Sequence, residues 1–145
     1  VIIVYGPVDH GQSAVFLAEM HDKVECCTTP VVVAGDFNLI RREANKISPN
    51  IDRRRMRMFN DSIAEMALHE IARVGARFTW TNKQMDPIRS VLDRVLVLTQ
   101  WELVFPLCSL KAVTRVGSDH SLLLFTSGEE APPWPHHFHF KLFIW

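Results

Sequence analysis

The chain has 145 residues, sixteen basic and sixteen acidic, so its formal net charge is zero. Hydrophobic residues make up 48% and charged residues 22%, which fits a folded domain with its own core and excludes a disordered chain. No apolar run of about eighteen residues occurs, so no membrane-spanning helix is expected.

Residues 1–5, Val-Ile-Ile-Val-Tyr, read as a core strand closed by the turn signal Gly6-Pro7. A chain that starts inside such a strand, with Val1 in place of Met, reads as cut from something longer, and no signal peptide is visible. Asp9 and His10 read as loop residues. Residues 12–27 predict a helix with Phe16, Leu17, Met20 and Val24 on one stripe. Cys26, Cys27 and Cys108 form neither a disulfide framework nor a CxxC metal site, which points to a reducing compartment.

Val31-Val32-Val33-Ala34 reads as a strand buried on both faces, followed by Gly35-Asp36-Phe37-Asn38. In an extended segment Asp36 and Asn38 point to the same side, a carboxylate beside a carboxamide. Such a pair can orient a water, hold a cation or donate to a phosphate oxygen, or it can be an ordinary turn. Residues 39–52 read as a polar loop. Across residues 41–57 stand Arg41, Arg42, Lys46, Arg53, Arg54, Arg55 and Arg57, against only Glu43 and Asp52. That run is either a solvated surface or a face for a polyanion.

Residues 53–71 predict a second helix, with Met56, Phe59, Ile63 and Met66 at helical spacing. Residues 77–82 and 91–97 predict two strands of a hairpin-like pair. Asp93 interrupts the second strand and must be exposed or partnered, because an unpaired buried charge is expensive. A short turn of helix is expected over 100–105 and a strand over 109–114. Gly117-Ser118-Asp119-His120-Ser121 then precedes the apolar Leu122-Leu123-Leu124-Phe125. Adjacent Ser, Asp and His cannot act on one another as a triad, so Asp119 and His120 are expected to face a pocket from the strand's mouth. Residues 127–135 read as a linker. The tail that follows alternates like an edge strand, and its His136 and His139 lack the further ligands a zinc site needs.

Tyr5-Gly6-Pro7, Gly35-Asp36-Phe37-Asn38, Phe78-Thr79-Trp80 with Leu92-Asp93-Arg94, and Ser118-Asp119-His120 occur in a definite order. That ordered set resembles the endonuclease/exonuclease/phosphatase superfamily, and its Phe-Thr-Trp and Leu-Asp-Arg elements look most like the endonuclease domain of plant LINE-type retrotransposons. The resemblance implies a layered α/β sandwich spanning residues 1–127, with residues 128–145 as linker and tail. It implies metal-dependent phosphodiester hydrolysis by a DNA endonuclease of retroelement origin, in an intracellular, nuclear setting, with DNA as partner and no membrane. Asp36 would activate the attacking water, Asn38 hold the scissile phosphate, and Tyr5 donate to it. His120 would stabilise charge on the phosphate or move a proton, with Asp93 fixing its tautomer. Asp119 would lie near a Mg²⁺ or Mn²⁺ ion. Thr79 and Ser118 would be secondary substrate contacts, and Arg41 and Arg42 lie in the basic run that would meet DNA.

The chain departs from the pattern in two ways. Val91 stands where a basic residue is usual. Nothing matches the family's first half, with its Asn and metal-binding Glu, so the fold is expected to be truncated at its N-terminus. The expectation is a weakened metal site, an inactive fragment, one sheet without a packing partner, and either the missing half or a larger polyprotein as companion. A nucleic-acid-binding or partner-binding remnant and a phosphatase of the same superfamily are the alternatives.

Overall fold

The computed structural model describes residues 1–128 and, as backbone, 141–144. Strand β1 (Ile2–Tyr5), helix α1 (Ser13–Glu25) and strand β2 (Val32–Asp36) form a parallel strand–helix–strand unit. Leu17, Met20 and Val24 of α1 are buried against the sheet, as the helical spacing requires. A short 3-10 turn precedes α1, and its Gly11 N–H donates to the Asp9 carboxylate. Gly35 is held at φ +145, and a Cβ there would stand 2.0 Å from the Val4 carbonyl oxygen, so only glycine permits β1 and β2 to pack this closely.

β2 pairs antiparallel with β8 (Asp93–Leu98), which pairs antiparallel with β4 (Leu68–Glu70). The sheet order is therefore β1-β2-β8-β4. Residues on the two faces of β2 enter different cores. Val33 joins Leu17, Phe37, Phe59 and Ile63 beneath α1 and α2 (Arg53–Glu65). Val32 and Ala34 face Leu110, Ala112, Leu123 and Phe125 of a second sheet. That sheet has the order β11-β10-β9-β5, built from β5 (Arg73–Gly75), β9 (Ser109–Val113), β10 (Leu122–Thr126) and β11 (Lys141–Ile144). The layers are helices, sheet and sheet: a mixed α/β sandwich.

Several sequence expectations change. Strand β1 is an edge strand among the described residues: Ile2 and Val4 pack against the core, as the apolar run implied, while Ile3 and Tyr5 are exposed. The second helix stops at Glu65 because Ala67 takes φ +53, and Leu68–Glu70 pair with β8 instead of continuing the helix. The polar loop at 39–52 holds a two-residue strand, β3 (Lys46–Ile47). The hairpin partners also differ. β6 (Trp80–Thr81) pairs with β7 (Arg89–Ser90), and with β3 they make a small third sheet. Between Ser90 and Asp93 the chain leaves that sheet and enters the main one as β8. Neither large sheet lacks a partner, since each covers the other. Lys141–Ile144 adds an edge strand as the tail's alternation suggested, while His136 and His139 lie outside the described residues. No helix among the described residues is long and apolar enough to cross a membrane.

An ion network ties β8 and β4 to the segment between β2 and β3. The Arg94 guanidinium, 2% exposed, donates to Glu70 Oε1 at 2.7 Å, to Asn45 Oδ1 at 3.1 Å and to the Val91 carbonyl at 2.8 Å. Glu70 Oε2 accepts from Arg41 at 2.9 Å. Burial pushes the Glu70 carboxyl up, but the Arg94 and Arg41 guanidiniums outweigh it and hold the group below the usual carboxylate range. Its contribution to stability is therefore present at neutral pH and lost as pH falls through that lowered value. Glu70→Ala leaves Arg94 buried without its counter-charge and is expected to cost about 3 kcal/mol, read as a fall in the urea midpoint at pH 7. An unchanged midpoint would contradict that role.

Candidate active site

The ends of β2 and β8 lie side by side, with Asp36 in register with Asp93. Two carboxylates are thus brought together at one end of the main sheet. Asp93 is 1% exposed and its Oδ2 lies 3.0 Å from His120 Nδ1, which is the partner its buried position demands. On the other side of the ring, Nε2 stands 4.0 Å from Asp36 Oδ2. The imidazole therefore sits between two carboxylates. The hydrogen bond to Asp93 raises its pKa above the ordinary histidine value, against the opposing effect of burial. Burial also pushes the Asp36 carboxyl above the usual carboxylate range, and the Asp93 charge adds to this, while the Asn38 N–H and His120 pull it back.

Asp36 and Asn38 are joined through a turn. Asn38 has φ +50, its N–H donates to Asp36 Oδ1 at 2.9 Å, and its Nδ2 donates to the Gly6 carbonyl at 2.7 Å. The turn and the site are the same structure. Tyr5, in register with Asp36 and 74% exposed, stands at the rim. Asp36, Asn38, Tyr5 and His120 open into a cavity of about 770 Å³, walled also by His10, Trp80, Ser90 and Leu92 and by residues 49–52, while Asp93 is buried and does not line it.

His120 is placed by the small hairpin. Trp80 forms a bridge with His120, the Thr81 N–H donates to the Asp119 carbonyl, and the Ser121 N–H donates to the Thr79 carbonyl. Thr79 is 1% exposed, and its Oγ1 accepts from the N–H groups of Leu92 and Asp93 at 2.9 and 3.0 Å. This corrects its reading as a substrate contact: its hydroxyl fixes the start of β8 from inside. Thr79→Val keeps the shape and removes that acceptor, leaving two N–H groups without their partner. A loss of about 2 kcal/mol is expected, read by urea unfolding; wild-type stability would refute it.

The remaining predicted residues are placed less centrally. Ser118 Oγ accepts from the His120 N–H at 3.2 Å and does not line the main cavity. Asp119 is exposed at the cavity rim, outside the group of Asp36, Asp93 and His120 whose ligand atoms lie within 4.8 Å of one another. Arg41 is committed to Glu70 and to Asn60 Oδ1, so its guanidinium is a structural tie and not a free DNA contact. Arg42 is exposed and does not line the cavity. Sequence reasoning missed Glu70 and named Arg55 only as one of seven basic residues, because only the three-dimensional fold shows what faces them.

Asp36, Asp93 and His120 each bring a ligand atom within 4.8 Å of the others, and the two neighbouring carboxylates give a divalent cation charge to neutralise. The sequence profile of the endonuclease-reverse transcriptase family matches residues 1–124. The chain belongs to that family. No curated protein matches it. For a member of an endonuclease family, the acidic and imidazole cluster is consistent with divalent metal use, and a nucleic acid is the substrate class the family implies.

Proposed function

We propose that the chain is a divalent-cation-dependent DNA endonuclease of the retroelement kind, nearest to the LINE type found in plants. The carrying observation is His120 held between Asp93 and Asp36 in an open cavity that also receives Asn38 and Tyr5. Family membership and the Phe78-Thr79-Trp80 and Leu92-Asp93-Arg94 elements support the retroelement assignment.

In this reading Asp36 takes the proton of the attacking water, with its Oδ1 fixed by the Asn38 N–H. The protonated imidazole of His120 faces the charge that builds on the phosphoryl oxygens, and Asp93 holds the ring in place. Asn38 and Tyr5 orient the phosphate. Asp36 and Asp93, with Asp119 at the rim, would hold a Mg²⁺ or Mn²⁺ ion, which supplies charge neutralisation on the phosphoryl group.

Where the sequence predicted an inactive fragment, this reading keeps slow activity: Asp36, Asp93 and His120 are assembled, and few ligands make a weakly held cation, so slow nicking at millimolar cation is expected. Incubation with supercoiled plasmid tests it. Conversion to open circles in Mg²⁺ or Mn²⁺, abolished by EDTA, is the expected result. DNA binding that weakens steeply with salt, with no nicking at any cation concentration, would instead favour a non-catalytic binding role. Turnover of small phosphoesters with plasmid left intact would favour a phosphatase.

A further inference from the structure

The basic run over residues 41–57 is not one surface. Arg41 is tied to Glu70 and Arg53 to Glu43, both through ion pairs. Arg42, Arg54 and Arg57 are exposed and do not line the cavity. Only Lys46 and Arg55 reach its wall.

Arg55 stands in the first turn of α2, where its N–H donates to the capping Asp52 carboxylate at 3.0 Å. Its Nε and Nη2 donate to Ser13 Oγ at 3.2 and 3.0 Å, and Nη2 reaches the Asn38 carbonyl at 3.5 Å. Both acceptors are neutral, and Nη1 donates to none of the described residues. Among those residues Arg55 forms no ion pair, although it is half-buried. The Asp52 carboxylate acts on its charge without forming an ion pair, so the partly desolvated guanidinium has no anion in direct contact and is suited to one arriving with a ligand. Its contact with the Asn38 carbonyl places it beside the residue that would hold the scissile phosphate.

We infer that Arg55 grips the DNA phosphate next to the one cleaved, with Lys46 continuing the cationic track along the same wall. This assignment rests on the endonuclease reading and extends it. The fork of Arg55 matches a phosphate's geometry, whereas Lys46 acts as a point charge. DNA bound in the cavity passes both, so each adds about one phosphate to the count that sets the salt dependence.

The test uses the full chain and a duplex oligonucleotide carrying one neutral methylphosphonate, moved linkage by linkage away from the cleavage point. Arg55→Gln removes the charge and keeps an amide able to face Ser13. Expected are a KM raised about tenfold, kcat within about twofold, and a binding slope against log salt shallower by about one. At one linkage the methylphosphonate should weaken wild type and leave Arg55→Gln unaffected. Lys46→Gln, which breaks no hydrogen bond described above, should also lower the slope by about one.

The inference is overturned if no linkage distinguishes wild type from Arg55→Gln, or if kcat falls while KM and slope hold, which would make Arg55 a prop for Asn38. An unchanged slope in Lys46→Gln removes the track and serves if Arg55→Gln fails to fold. Wild type that cuts normally while both variants match it sinks only this inference. Wild type that neither binds nor cuts takes the endonuclease reading down with it.

Discussion

His120→Ala abolishes cation-dependent nicking, with an expected loss of about a thousandfold or to background. The ring lies against both carboxylates, so its removal takes away the charge facing the phosphate and the partner of Asp93 together. Asp93 would be left as a buried carboxylate without its hydrogen bond, at a cost of about 2–3 kcal/mol in stability. Assays must therefore run well below the variant's melting temperature. A second readout follows from the raised pKa of His120, caused first by the Asp93 hydrogen bond. A histidine raised on folding contributes stability that is full below its unfolded pKa and lost as pH rises through its folded pKa. In EDTA, the stability gap between wild type and His120→Ala should narrow as pH rises from below the ordinary histidine value to well above it. It should not close, because the neutral ring still donates to Asp93. Wild-type nicking by His120→Ala, or a gap that widens with pH, would remove His120 from the centre of the site.

Much of this arrangement was legible in the sequence where a residue type had one physical meaning. The Val-rich strand predicted burial on both faces, and β2 supplies two cores. Asp93 in an apolar run demanded a partner, and the partner is His120. The residues that misled had two meanings. Leu68, His69 and Glu70 extend a helical pattern, yet their pairing with β8 outweighs helix propensity once Ala67 has turned the chain. Residues 91–97 read as one strand paired with 77–82, but Arg89–Ser90 hold that pairing and the chain changes sheets between Ser90 and Asp93. Local pattern cannot register that, since both halves remain extended. Charge was the least legible property. Seven basic residues in seventeen positions look alike in sequence, and only their neighbours show which are tied to Glu70 or Glu43 and which face the cavity.

Asp36→Asn separates stability from chemistry in the opposite sense. Its carboxylate is disfavoured first by burial and then by the Asp93 charge, while the Asn38 N–H favours it. A carboxyl raised on folding destabilises the native state as pH climbs through its folded pKa. An asparagine at 36 keeps an oxygen for the Asn38 N–H and removes both penalties. In EDTA at neutral pH the variant should melt a few degrees higher than wild type, and the difference should vanish in acid, where Asp36 is protonated anyway. Nicking should fall about a thousandfold with loss of the base. Added Mg²⁺ should raise the melting temperature of wild type and leave Asp36→Asn unmoved, because a ligand stabilises only the form that binds it. A variant less stable than wild type across the whole pH range would mean that the Asp36 charge is needed by the fold. That outcome would make the paired carboxylates at the ends of β2 and β8 a structural device, with no stored repulsion for a cation to relieve.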